Sequence, residues 1–175
     1  LVSDRLQAST CCVSEQLLTL SGEVIWSQSR EVNISALTVT QLRSGLSLAV
    51  IQENDNSDMV YQVQLTELEQ PHQVLSEALH YFVAMKELML TPANIDCQLA
   101  LDNQQLQLTL KSDVLARQVH VSLAEVNGNF SDNFFDLLPN AEKVITLPAA
   151  ELNTNDLALL QDDIRIMSIV DSYQT

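Results

Sequence analysis

Apolar residues at every second position constrain this chain most. In Cys97-Gln98-Leu99-Ala100-Leu101 the larger apolar side chains alternate with smaller or polar ones. Leu106-Gln107-Leu108-Thr109-Leu110 and Val119-His120-Val121-Ser122-Leu123 repeat the pattern. Successive side chains of an extended chain point to opposite faces, so this pattern predicts strands with one dry and one wet face. Sheets of that kind are usually antiparallel. Asp102-Asn103-Gln104 interrupts the first two runs as a turn would, which predicts a hairpin.

The first half follows the same period less cleanly. Cys12 to Leu20 reads as a strand, Ser21-Gly22 as a turn, and Glu23 to Gln28 as a second strand. Val32 to Val39, Asp58 to Leu68 and Ser76 to Val83 read as three more. Leu42 to Ile51 fits either a short helix or a strand. Glu151 to Asp162 fits a short helix behind Pro148, running into a strand-like Ile164 to Val170. With only 3 Gly, the turns must use Asn, Asp and Ser, as in Asn54-Asp55-Asn56-Ser57-Asp58. Many short strands separated by turn signals predict an all-β chain of sandwich type.

Length then sets the number of sandwiches. The chain has 175 residues, and Lys86-Glu87 and Thr91-Pro92 interrupt two blocks of β pattern. Two consecutive antiparallel immunoglobulin-like β-sandwich domains are expected, at residues 1–88 and 89–175. Net charge divides evenly between them. Residues 1–88 carry 4 basic and 11 acidic groups, and residues 89–175 carry 4 and 12. Each half is slightly short of the about 100 residues of such a domain. Edge strands, or the start of the first domain, are expected to be missing. Residue 1 is Leu, so the sequence reads as a piece of something longer.

Charge and motif content exclude several functions. The net charge of −15 repels phosphate backbones and anionic lipid, so neither nucleic acid nor a membrane surface is expected as a partner. No apolar run approaches the about 20 residues of a membrane-spanning helix. Cys11, Cys12 and Cys97 are too few and too awkwardly spaced for a disulfide framework, and read as reduced, buried thiols of a cytoplasmic protein. His72, His80 and His120 form no zinc spacing. Glu53 to Asp58 lacks the glycine and the closing glutamate of a calcium loop. No metal and no cofactor are expected. Cys12 beside His80 or His120 is the one nucleophile-base pairing that spacing leaves open. Asp132, Asp136, Asp162 and Asp163 read as turn and cap carboxylates. Asn33 and Asn129 open N-x-S triplets, which arise often by chance. Trp26, the single Trp, is expected in a core.

The most distinctive stretch is Asn129-Phe130-Ser131-Asp132-Asn133-Phe134-Phe135-Asp136-Leu137-Leu138-Pro139. Three of the 4 Phe fall within it. Ser131, Asp132 and Asn133 can bond their own backbone and shape a turn. The stretch therefore reads as a packing corner, and alternatively as a surface that docks on another domain or lies near a substrate. Phe130, Asp132, Asn133, Phe134 and Phe135 are the candidate contact residues.

Phe130 to Pro139, followed by Lys143-Val144, resembles the C-terminal immunoglobulin-like domain of family 2 glycoside hydrolases of the β-mannosidase type. Ser112-Asp113-Val114-Leu115-Ala116-Arg117 resembles the strand of that domain that precedes a sheet-switching bend. Val2-Ser3-Asp4-Arg5-Leu6 is similar to the opening strand of the sandwich after the catalytic barrel, with Ser3 where Asn is more usual. Gly22 to Trp26 fits its next hairpin, Leu75 to Phe82 its last strand, and Arg165 to Ile169 the family's tail.

The resemblance implies a retaining exo-glycosidase that removes terminal β-mannose. Its two catalytic glutamates lie on the upstream barrel. A barrel takes about 250 residues and does not fit in this length. No catalytic residue carries over, and the chain is expected to be an inactive accessory region. Its partner would be the barrel of the same parent chain, with an oligosaccharide as a further ligand. The alternatives are an independent carbohydrate-binding module and an immunoglobulin-like adhesion or assembly module.

Overall fold

A computed structural model describes residues 1–41, 51, 54–68, 73–124 and 128–173. The chain is all-β and forms two immunoglobulin-like β-sandwich domains. Two compact units separate in it. Unit 1 comprises Leu1–Thr19 and Glu23–Met89; unit 2 comprises Leu20–Gly22 and Leu90–Thr175.

Unit 1 holds a four-stranded antiparallel sheet of β1 (Ser9–Thr19), β2 (Val24–Ile34), β3 (Met59–Glu67) and β4 (Val74–Tyr81). Their spatial order is β2-β1-β3-β4. The central strand β1 buries Cys11, Val13, Glu15 and Leu17 at every second place, while β2 and β4 lie at the edges. Cys11, Val13, Ile34 and Leu65 form a small core, with Leu1, Val32, Val63 and Leu75 packed on it. Glu15 is the exception on this apolar face, at 2% exposure. Its carboxylate accepts hydrogen bonds from Arg30 and from the Tyr61 hydroxyl. Both partners sit diagonally across neighbouring strands, since Val13 faces Arg30 and Leu17 faces Tyr61. A buried carboxylate is tolerated only with such pairing.

Two expectations for this half need correction. The segments Glu23–Gln28 and Val32–Val39 are not separate strands: β2 runs unbroken from Val24 to Ile34. Ser27 to Glu31 looks like an interruption because an edge strand leaves its side chains largely exposed, so polar residues cost it little. Beyond Ile34, Leu37 turns to a φ of 49°, and Val39 makes an isolated bridge with Val2. Trp26 lies on this edge strand opposite Leu17 and is half-buried, not sealed in a core. The Leu42–Ile51 reading falls on residues 42–50, outside the described residues, as do Glu53 and His72. Asn54–Asp58 is the expected polar loop and contains a single 3-10 turn. The Asp55 carboxylate there accepts from the Ser57 N–H at 2.9 Å and from its hydroxyl at 2.7 Å.

Unit 2 packs two three-stranded sheets face to face. One has the order β5-β6-β9: β5 (Ile95–Asp102), β6 (Gln105–Ser112) and β9 (Glu142–Pro148). The other has the order β10-β7-β8: β10 (Ile164–Met167), β7 (Ala116–Leu123) and β8 (Phe135–Leu137). A short helix, α1 (Leu157–Asp163), is capped by the Asp156 carboxylate on the Ala158 N–H and leads into β10. The alternation of the sequence becomes the core directly. Leu106, Leu108 and Leu110 of β6 meet Val119, Val121 and Leu123 of β7, with Ile145 and Leu147 of β9. Each such buried side chain contributes about 1.5–3 kcal/mol of transfer free energy. The β5–β6 hairpin turns through Asn103 and Gln104, both at positive φ. That is the two-residue primed turn whose twist matches paired strands.

Candidate functional site

Polar side chains fix two of the links between the strands of unit 2. The first lies between β6 and β7. There the Asp113 carboxylate accepts from the Asn94 backbone N–H at 2.9 Å and from its side-chain amide at 2.6 Å. These bonds hold the exposed Asp113 carboxyl below its ordinary value of 3.8, the side-chain bond first. The Ser112 hydroxyl donates to the Val114 carbonyl at 2.7 Å.

The second is the Phe130–Asp136 stretch, which joins β7 to β8 of one sheet and touches β9 of the other on the way. Ser131 bonds to β9: its N–H donates to the Thr146 carbonyl at 2.7 Å. Its hydroxyl accepts the Thr146 N–H at 2.9 Å. Two residues later Asn133 bonds to β7 in the opposite sheet. Its side-chain oxygen accepts the Val121 N–H at 2.8 Å, and its amide donates to the Val121 carbonyl at 2.9 Å. The side chain thus takes the place of a neighbouring strand. Asp132 accepts the Asn133 N–H at 2.9 Å and the Lys143 ammonium at 2.7 Å.

The five candidate residues therefore share one corner but not one orientation. Phe130 packs against the core and Phe135 belongs to it, with the Lys143 ammonium 5.2 Å from the Phe135 ring centre. Asp132 and Asn133 hold the turn. Phe134 projects outward at 67% exposure. Its backbone has a φ of 60°, and its N–H donates to the Val119 carbonyl at 2.8 Å. Its ring lies 4.9 Å from the His120 ring, tilted by 32°.

Beside Phe134 lies a hollow of about 220 Å³. Gln118 and His120 of β7 line it, with Met167, Ile169 and Ser172. Gln118 also has a positive φ, of 50°, at an irregularity in the β7–β8 pairing. Asp136 holds it there, accepting the Gln118 N–H at 2.9 Å and the Arg117 guanidinium at 3.1 Å. The alternation of Val119 to Leu123 placed Gln118 and His120 on the outer face. Nothing in that local pattern signalled that Phe134, Met167 and Ile169 would meet them.

Catalytic pairings gain no support. Cys12 faces Thr66, whereas His80 faces Tyr61, five residues along β3 and on the opposite face of the sheet. His120 is in the other unit. Cys97 packs against the unit 2 core, and burial pushes its thiol up to about 11, so it stays protonated at neutral pH. Among the described residues no three His, Cys, Asp or Glu side chains gather to hold a metal ion.

The fold and the corner together define a pair of immunoglobulin-like β-sandwiches in series. Residues 1–87 match the family described as mannosidase Ig/CBM-like domains, and residues 90–172 match the Ig-fold domain of mannosidases. The chain belongs to these mannosidase immunoglobulin-like domain families, as a tandem of the two. No curated protein matches the sequence. Among solved structures, a β-D-mannosidase from Dictyoglomus thermophilum aligns over 96% of this chain and 19% of its own, with a TM-score of 0.76 and 19% identity. The Amycolatopsis orientalis exo-chitosanase CsxA, in complex with PNP-β-D-glucosamine, aligns over 95% of this chain and 23% of its own. Its TM-score is 0.55 and its identity 13%. The chain spans about a fifth of the length of these similar structures.

Proposed function

We propose that this chain is the non-catalytic C-terminal accessory region of a β-mannosidase, a retaining exo-glycosidase that hydrolyses terminal β-mannose residues. Its role is to support the catalytic barrel of the same parent chain. The observation that carries this reading is the tandem itself. The two mannosidase domain families occur in series, and one β-mannosidase structure aligns across both. At the Phe130–Asp136 corner, Ser131, Asp132, Asn133 and Asp136 hold the turn and pair strands, which suits a supporting role. Deleting the region from the full-length enzyme is the test. Lower thermal stability and reduced turnover of an aryl β-mannoside are expected, with no turnover by the isolated chain. A deleted enzyme that keeps its melting temperature and its rate would refute the supporting role.

A second reading, saccharide binding by the sandwiches themselves, is favoured by one observation. Phe134 offers an exposed aromatic ring next to the side chains of Gln118 and Ser172.

A further inference from the structure

The outermost strand of a sheet presents unpaired backbone N–H and C=O groups, and natural proteins blunt it with charge, shortness or bonds from side chains. Most outermost strands of this chain are blunted in one of these ways. β2 carries Arg30 and Glu31, and β5 carries Asp96 and Asp102. β8 has only 3 residues. On β9, Ser131 bonds both backbone groups of Thr146. At β10 the Arg165 guanidinium donates to the Ile164 carbonyl at 3.0 Å. Just beyond that strand the Asp171 carboxylate accepts the Ser168 N–H at 2.7 Å.

β4 is the exception. Ser76 to Tyr81 pairs with Leu65 to Val60 of β3 without a break, and the one irregularity falls before Ser76. Among the described residues, no backbone group of Val74 to His80 bonds anything but β3. The strand has no Lys, Arg, Pro or Gly. Its one carboxylate, Glu77, is turned onto β3, where the side-chain amides of Gln62 and Gln64 donate to it. Ser76, Ala78 and His80 are exposed.

An edge of this kind accepts another extended strand through its backbone. The side chains decide which strand fits. Antiparallel pairing sets residues of the same face opposite one another. With Ala78 on a two-fold axis, the small Ala78 side chains of two copies meet. Ser76 then faces His80, and Glu77 faces Leu79, so no like charges stand directly opposite. An axis on Glu77 would instead set two carboxylates against each other. The edge is complementary to itself.

We propose that β4 pairs with β4 of a second copy of this chain, antiparallel over Ser76–His80 and centred on Ala78. This pairing does not rest on the accessory-region reading. So short a pairing buries less than the about 1,200 Å² of a standard interface, so association is weak and depends on concentration. The charge of −15 on each copy opposes it, and salt screens that repulsion.

The test is sedimentation velocity of the 175-residue chain in about 0.5 M sodium chloride, from about 10 μM to about 1 mM protein. A monomer–dimer equilibrium is expected. Ala78→Glu places two carboxylates on the axis and should weaken the dimer about fivefold. Because Ala78 is exposed, the melting temperature should hold. Ala100→Glu makes the same charge change at an exposed position of β5 and should leave the dimer intact. Should Ala78→Glu fail to fold, amide NMR of the unaltered chain on dilution decides, with shifts centred on Ser76–His80 expected. A chain that stays monomeric at about 1 mM leaves the edge to a different strand and overturns the proposal. Equal weakening by both variants, or dilution shifts centred outside β4, would overturn it too.

Discussion

Asn133 shows how much of a fold can rest on one amide. It satisfies both backbone groups of Val121, which is buried in the unit 2 core. Leaving buried groups unpaired costs more than a typical hydrogen bond contributes. Asn133→Ala is expected to destabilise the chain by about 2–3 kcal/mol in denaturant unfolding. Asn133→Asp tests the reading more sharply. It keeps the shape and the acceptor but sets a carboxylate against the Val121 carbonyl. It should also destabilise, and an aspartate variant as stable as wild type would show that the amide donor is unimportant. At Phe134 the same corner works in reverse. The bonds that stabilise the turn force an aromatic residue into backbone that suits glycine better, and its ring is left outside.

Among the elements, the links between strands carry the most specific chemistry. Asp113 ties the β6–β7 crossing to Asn94, just before β5, and its folded pKa lies below 3.8. A carboxyl depressed on folding stabilises fully above its unfolded pKa, and loses that effect as pH falls through its folded pKa. Asp113→Asn should therefore be less stable than wild type at about pH 5 and above. The gap between the two should close as pH drops below 3.8 in thermal melts. A gap that stays constant across this range would mean that the bonds to Asn94 do not depend on the charge. The strands themselves were more legible. β5, β6 and β7 emerge where clean alternation put them, and Asn103-Gln104 forms the expected turn. In the sequence β2 reads as two pieces, because its polar centre, Ser27 to Glu31, lies on an edge where burial imposes no alternation.

The molecule as a whole is dominated by its charge. Acidic groups outnumber basic ones 23 to 8, and both halves share the imbalance. Like-charge repulsion opposes compaction and is screened by salt, with a Debye length of about 10 Å at 0.1 M. Raising sodium chloride from about 0.01 M to about 0.5 M at pH 7 should raise the melting temperature. A melting temperature that falls or stays level would show that favourable ion pairs, such as Asp132–Lys143, outweigh the repulsion. By itself the sequence determined the all-β class, the main strands of unit 2 and their core-facing residues. These follow from the local alternation of side chains along an extended chain. The Phe130–Asp136 stretch also carried the family resemblance. The tertiary structure alone decided that β1 lies between β2 and β3, that Trp26 sits on an edge, and that Phe134 points outward while Phe135 points inward. Those outcomes depend on bonds between distant strands, Asn133 to Val121 and Phe134 to Val119 among them, which no local pattern encodes.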